Sequence, residues 1–179
     1  MIEINGLHKA FDKNIILSNL SLTVEEGKTT VIIGRSGAGK SVLLKCIVGL
    51  LTPDAGSIKI NGQEVTQLNE KEYNKIRKDI GLVFQGGALF DSLNVEENVA
   101  FVLNEFMKLD KEVIRKKVKD SLALVGLKDI EKMMPAQLSG GMKKRVSLAR
   151  ILCMEPRIIL YDEPTTGVDP ITADAINNL

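Results

Sequence analysis

The chain has 179 residues, a formal net charge of +1, 44% apolar residues and 26% charged residues. That balance suits a globular protein with one sizeable core, and the near-neutral charge offers no field to attract nucleic acid, so no nucleic-acid partner is expected. No apolar run approaches the ~18 residues of a membrane span, and the charged, alternating N-terminus is unlike a signal peptide, so any membrane connection is expected to come through a partner.

A single histidine, His8, excludes histidine-rich metal sites; on an alternating strand it reads as a surface residue. Cys46 and Cys153 lie far apart in apolar surroundings and read as buried, reduced thiols.

In chain order, "IEINGLHKAF" and "ILSNLSLTV" predict two strands joined by a polar turn around Asp12 to Asn14. "TTVIIG" is short, β-branched and unbroken, which predicts a strand buried on both faces. It feeds the glycine loop "GRSGAGKS", Gly34 to Ser41. A helix follows from Lys40, with Val42, Leu43, Cys46, Ile47 and Leu50 on its apolar face. "TPDAG" breaks that helix, "SIKING" predicts a strand with a turn at Asn61 and Gly62, and "IGLVFQ", Ile80 to Gln85, predicts another strand.

After Gln85 the pattern becomes helical. Asn94 caps a helix that spaces Val95, Val99, Val102 and Phe106. A second helix turns Ile114, Val118, Leu122 and Val125 inward and stops at Gly126. "GGMKKRVSLARILCM" predicts a third. "RIILYDEP" returns to a buried strand, and "DPITADAINNL" opens a last helix inside which the chain stops, the pattern of a C-terminally truncated domain. The order predicts an α/β fold: a mostly parallel sheet with a helical lobe inserted at roughly 86–155.

"GRSGAGKS" matches G-x-x-x-x-G-K-[ST] between a predicted strand and a predicted helix. Gly34, Gly37 and Gly39 let successive backbone N–H groups turn inward toward phosphate oxygens. Lys40 would bridge the β- and γ-phosphates, and the Ser41 hydroxyl would face Mg²⁺. "IILYDEP" places Asp162 at the carboxyl end of an apolar strand, where open α/β sheets bind ligands. A carboxylate there suits Mg²⁺ and its waters, and the adjacent Glu163 is placed to take a proton from an attacking water.

Three features stay open on residues alone. Gln85 is either polar surface or a contact to a metal-bound water. Phe11 either fills core or offers a flat platform to a base. "LSGGM" is either a glycine linker or a helix start that accepts an anion, with Ser139 as cap and Gly140 and Gly141 baring the backbone.

Taken together, "GRSGAGKS", "FQ", "LSGGM", "IILYDEP" and "GVDP" stand in the order and approximate spacing of the ATP-binding cassette (ABC) ATPases, which the whole chain resembles. The resemblance implies a P-loop NTPase fold with a mostly parallel core sheet, N-terminal antiparallel strands and an inserted helical subdomain. Residues 1–179 would form one ABC ATPase domain, truncated at its C-terminus: 1–85 and 156–179 the nucleotide-binding core, 86–155 the helical signature subdomain.

By the same resemblance, ATP would be bound by Phe11 against adenine and by Gly34, Arg35, Ser36, Gly37, Ala38, Gly39, Lys40, Ser41 and Val42. Gln85, Asp162, Ser139, Gly140, Gly141 and Asp169 would complete the nucleotide site. Glu163, Lys40 and Gln85 would be catalytic; Ser41, Gln85 and Asp162 would serve Mg²⁺. The signature loop would act on the ATP of a second copy in a head-to-tail homodimer. Met142 stands where the family pattern has glutamine.

"FQGGALFDSLNVEENVAF", "LSGGMKKRVSLAR" and "DEPTTGVDPIT" look more finely like the Mla/Mce-type lipid transport ATPases. That implies an integral membrane permease as partner, an Mce-type lipid-binding protein beside it, and a peripheral position on the cytoplasmic face of a bacterial inner membrane. Leu89 and Phe90 either line the groove for the permease or pack the lobe's own core. The family's switch histidine has no counterpart up to Leu179, so weak turnover is expected of the chain as it stands. A transport system for another substrate is the alternative, and a soluble ABC protein acting on DNA or ribosomes a more distant one.

Overall fold

Alternating apolar residues put Ile2 and Ile4 on one face of a strand, and a bulge at Asn5–Gly6 returns Leu7 to that face. In the computed structural model, which describes residues 1–84, 87–107 and 109–162, these three side chains are almost fully buried. The chain divides into two units, Met1–Arg77 and Lys78–Leu179.

In the first unit, β1 (Ile2–Phe11) lies between β2 (Asn14–Val24) and β3 (Ala55–Ile60), antiparallel to both. A short β4 (Gln63–Glu64) completes the order β2-β1-β3-β4. Ile2 pairs with Ile60 and Ile4 with Ile58, all four buried. Each such side chain contributes roughly 1.5–3 kcal/mol of transfer free energy. Asn61 and Gly62 take positive φ between β3 and β4, as their residue types predict.

Helix α1 (Lys40–Ile47) buries Leu43, Leu44, Cys46 and Ile47. Val42 is half-buried and Leu50 exposed, so the expected apolar face holds in its centre and not at its ends. The helix stops at Gly49, whose φ of +67° is unfavourable for other residues. A Cβ there would also stand 2.6 Å from the Tyr73 ring.

Tyr73 belongs to α2 (Glu70–Arg77), a helix not predicted above. Asn69 and Glu72 exchange backbone–side-chain bonds in a capping box at its start. The Tyr73 hydroxyl donates to the Ile47 carbonyl at 2.8 Å, and Arg77 donates to the carbonyls of Val48 and Gly49, both at 2.9 Å. Thus α2 satisfies carbonyls that the end of α1 leaves without helical partners.

The run "TTVIIG" is not the doubly buried strand its composition predicts: residues 28–35 form no regular element, and Val31 and Ile33 are 75% and 92% exposed. Its composition is that of an interior parallel strand, but a strand exists only through a ladder. Among the described residues none pairs with it.

In the second unit β5 (Ile80–Val83) and β6 (Ile158–Tyr161) pair in parallel, Ile80 with Ile158 through Val83 with Tyr161. They represent the parallel sheet among the described residues. β6 is half-buried, not buried as its apolar run predicts.

Helices α3 (Val95–Phe106), α4 (Lys111–Leu124) and α5 (Gly140–Leu152) enclose one core. In α4, Ile114, Val118 and Leu122 point inward as their spacing predicts, and Val125 is buried just past its end. In α3 the inward stripe is Val95, Val99 and Leu103; Phe106 is 64% exposed and Val102 half-buried. Asn94 forms the expected cap, as a full capping box with Glu97.

The segment 87–93, which follows Gln85, is fastened to these helices. Buried Asn98 accepts from the Phe90 N–H at 2.8 Å and donates to the carbonyls of Phe90, Leu93 and Asn94. Buried Arg150 donates to the Gly87 carbonyl at 3.3 Å and lies 5.8 Å from the centroid of the Phe90 ring.

Cys46 and Cys153 are buried free thiols as expected, their pKa pushed up by burial. The last predicted helix, in residues 163–179, lies outside the described residues.

Candidate functional site

In the first unit the glycine loop runs into α1 with an open helix start. Gly39 is the N-cap, in the left-handed conformation at φ 90°, and no side chain caps the helix. The first turn itself carries no acidic residue, and its N–H groups lie at the positive end of the helix. A Cβ on Gly39 would stand 3.0 Å from side-chain atoms of Ile16 and Leu17 in β2. The loop is thereby seated on the sheet.

Within the loop, Ala38 donates to the Arg35 carbonyl at 3.1 Å, and Lys40 Nζ donates to the carbonyls of Gly34 and Arg35 at 3.0 and 3.2 Å. Around Gly37, which has φ +79°, the space a Cβ would occupy is open. Lys40, the backbone N–H groups and the Ser41 hydroxyl therefore come from one turn of chain, a donor set matched to phosphate. Ser36 lies in the exposed turn and Val42 in the first turn of α1.

Phe11 ends β1 and is 43% exposed, so it stands at the surface and does not fill core. Lys9 and Asp54, which no sequence pattern singles out, stand at this strand end. Lys9 Nζ lies over the ring, 5.6 Å from its centroid, and is bonded to Asp54 Oδ1 at 2.7 Å. "TPDAG" reads only as a helix breaker; the alternation that puts Lys9 and Phe11 on one side of β1 is the one available signal.

In the second unit Ser139 is the N-cap of α5, its hydroxyl accepting from the Met142 N–H at 3.2 Å. Leu138 beside it is buried and anchors the turn. A Cβ on Gly140 would meet nothing within 4 Å, so packing does not demand its missing side chain. The open space leaves room for a group to approach the first N–H groups of α5. Met142 packs partly against the helical core.

Asp162 follows β6 directly, and its N–H donates to the Val83 carbonyl at 2.9 Å. The carboxyl ends of β5 and β6 are thus side by side, with Asp162 at the tip of one and the chain leading to Gln85 leaving the other. Burial raises the pKa of the preceding Tyr161. Gln85, Glu163 and Asp169 lie outside the described residues. The structure therefore gathers Phe11 and the phosphate loop in one unit, and Ser139, Gly140, Gly141 and Asp162 in the other.

The sequence is 48% identical over 179 residues to the methionine import ATP-binding protein MetN of Clostridium tetani, covering 100% of this chain and 56% of that protein. It is 42% identical over 179 residues to the intermembrane phospholipid transport system ATP-binding protein MlaF of Haemophilus influenzae, covering 100% of this chain and 68% of that one. The chain spans about half the length of the first curated relatives it matches, 50% and 56%. The fold matches the dimeric structure of MJ0796, a bacterial ABC transporter cassette, with a TM-score of 0.93 and 36% identity, over 99% of this chain and 80% of that one. The ABC transporter family matches residues 17–166, a span that takes in the phosphate loop, the capped glycine start of α5 and Asp162, and the chain belongs to that family.

Proposed function

We propose that this chain is the ATP-binding and ATP-hydrolysing part of an ABC transporter, and that it powers movement of a hydrophobic substrate, a phospholipid or related lipid, through a partner permease. The observation that carries the nucleotide reading is the uncapped start of α1, with Lys40 and the backbone donors of residues 34–41 in one turn. The lipid reading rests on the 42% identity to MlaF across the whole chain.

In this reading the loop N–H groups and Lys40 hold the phosphates and offset charge on the transferring phosphoryl group. Phe11 receives the adenine. Gln85 orients the attacking water, and the Glu163 carboxylate takes its proton. Oxygen donors from Ser41, Gln85 and Asp162 fit Mg²⁺, which when bound would neutralise phosphate charge. Ser139, Gly140 and Gly141, with Asp169, serve the nucleotide of a second copy arranged head to tail. Residues 1–85 and 156–179 form the nucleotide-binding core and 86–155 the signature subdomain. Among the described residues no helix is long and apolar enough to cross a membrane. The membrane-bound partner is a permease, with an Mce-type lipid-binding protein beside it, and the protein sits on the cytoplasmic face of a bacterial inner membrane.

A second reading, a small-molecule importer, is favoured by the 48% identity to MetN. The two separate on purification of the full-length protein with its membrane subunits. Mass spectrometry of the complex should find bound phospholipid, and ATP should drive lipid transfer between vesicles. ATP hydrolysis stimulated by methionine, with no lipid transferred, would sink the lipid reading. Hydrolysis at the parent rate by Glu163→Gln would sink the catalytic assignment.

A further inference from the structure

We infer that Lys9 and Asp54 are positioning residues for Phe11, fixing the aromatic ring relative to the phosphate loop and so setting the base end of the nucleotide site. The inference rests on the reading of Phe11 as the adenine platform.

Asp54 binds three consecutive residues just before Phe11. Its Oδ1 accepts from Lys9 Nζ at 2.7 Å, its Oδ2 accepts from the Ala10 N–H at 2.7 Å, and its own N–H donates to the His8 carbonyl at 2.8 Å. Both carboxylate oxygens are engaged, so the strand end cannot twist without breaking a charge-assisted bond. The Lys9 bond first, then that from Ala10, holds the Asp54 carboxyl below its ordinary pKa range.

Lys9 then acts on the ring itself. Its ammonium stands over Phe11, 5.6 Å from the centroid, a cation–π distance. One ring face is committed to the cation, which restrains rotation; on the platform reading the base takes the other face. Asp54 cancels the Lys9 charge, so the pair orients the ring without adding a net charge near the nucleotide.

The same aspartate is linked to the phosphate end. Leu50 and Leu51 donate to the Lys45 carbonyl at 2.8 and 3.2 Å, folding the segment that leads to Asp54 against the last turn of α1. That helix begins at Lys40 of the phosphate loop. A continuous series of bonded elements therefore runs from the phosphate loop through α1 and Asp54 to Phe11. It is seated on the other side by Gly39 against Ile16 and Leu17 of β2, the partner strand of β1. A nucleotide reaches only a limited distance from base to phosphates, so the series that ties Phe11 to the loop bears directly on where the base can sit.

The test is equilibrium binding of Mg-ATP and of Mg-tripolyphosphate to full-length protein carrying Phe11→Ala, Asp54→Asn, Lys9→Met or Lys9→Arg. Tripolyphosphate has no base and reports the phosphate loop alone. Base–aromatic stacking is strong enough that Phe11→Ala should lose about tenfold or more in ATP affinity. Asp54→Asn and Lys9→Met should each lose roughly three- to tenfold for ATP, with tripolyphosphate affinity within about twofold of parent. Lys9→Arg, which keeps both the ion pair and the cation over the ring, should restore ATP binding. If Asp54→Asn and Lys9→Met bind ATP like the parent while Phe11→Ala does not, the positioning inference is wrong and the platform reading stands. If ATP and tripolyphosphate weaken together in both variants, the pair merely supports the fold and the inference is wrong. If Phe11→Ala itself binds ATP normally, the platform reading fails and takes the inference with it.

Discussion

Gly81 of β5 lies directly under Ile151 of α5: a Cβ on Gly81 would stand 2.1 Å from Ile151 Cγ2. The strand that leads to Gln85 and the helix that begins after Ser139 therefore meet with the Ile151 side chain packed against the bare backbone of Gly81. Gly81→Ala should overpack this contact and destabilise the protein by about 2–3 kcal/mol. Ile151→Ala, added to it, removes the clashing atom. The double variant should unfold in urea at a higher midpoint than additivity of the two single changes predicts. Strict additivity would show that the two residues are not coupled.

The bonds from α2 to the end of α1 predict an alkaline signature. Burial pushes the Tyr73 phenol up to about 12, with Arg77 acting in the opposite direction. An unfolded chain ionises tyrosine near ~10. Below that pH the phenol is neutral in both states and its contribution is fully present. Between about 10 and 12 the unfolded state loses the proton first, so stability falls through that window. Tyr73→Phe should flatten the fall. It should also lower stability at neutral pH by about 1–2 kcal/mol, because the Ile47 carbonyl loses its donor. Urea unfolding at several pH values measures both.

How much of this was legible depended on whether each feature is encoded locally. In α4, Ile114, Val118 and Leu122 recur at helical spacing and all point inward, because one apolar stripe against one core needs no other information. Helix α2 has only Tyr73 buried, and its docking is carried by hydrogen bonds to carbonyls more than twenty residues earlier, which no periodicity displays. The run 29–33 has strand composition but no ladder among the described residues, and ladders are non-local. The candidate site divides the same way. The phosphate loop is legible because its glycines and Lys40 are contiguous. The contact of Lys9 with Asp54 joins residues 45 apart and is visible only in the fold.

Asn98 shows the same limit and carries a prediction. It sits between Glu97 and Val99, reads as an ordinary polar helix residue, and is fully buried. Its amide nitrogen has two protons and faces three carbonyls, those of Phe90, Leu93 and Asn94, while its oxygen accepts the Phe90 N–H. Asn98→Ala strands these groups and should cost about 2–4 kcal/mol. Asn98→Asp should be at least as damaging at neutral pH, because an ionised carboxylate donates nothing to the carbonyls. Its deficit should shrink as pH falls and the carboxyl regains a proton to donate. An Asn98→Asp deficit that did not change between neutral and acid pH, relative to parent, would overturn this account.

Ser139 allows capping to be separated from anion recognition. Its hydroxyl caps α5 through the Met142 N–H, so Ser139→Ala should destabilise by about 1 kcal/mol whatever the function of the turn. Aspartate caps a helix as well as serine, and its charge suits the positive end of the helix. Ser139→Asp should therefore match the parent within about 0.5 kcal/mol in urea unfolding. If the open space beside Gly140 admits a phosphate, that same carboxylate repels it across a short distance and occupies the N–H groups the phosphate needs. ATP hydrolysis by full-length Ser139→Asp should then fall at least about tenfold while stability is kept. The alanine variant, less stable but uncharged, should hydrolyse ATP faster than the aspartate variant. A glycine linker with no anion to receive predicts the reverse order, since only helix stability would then matter.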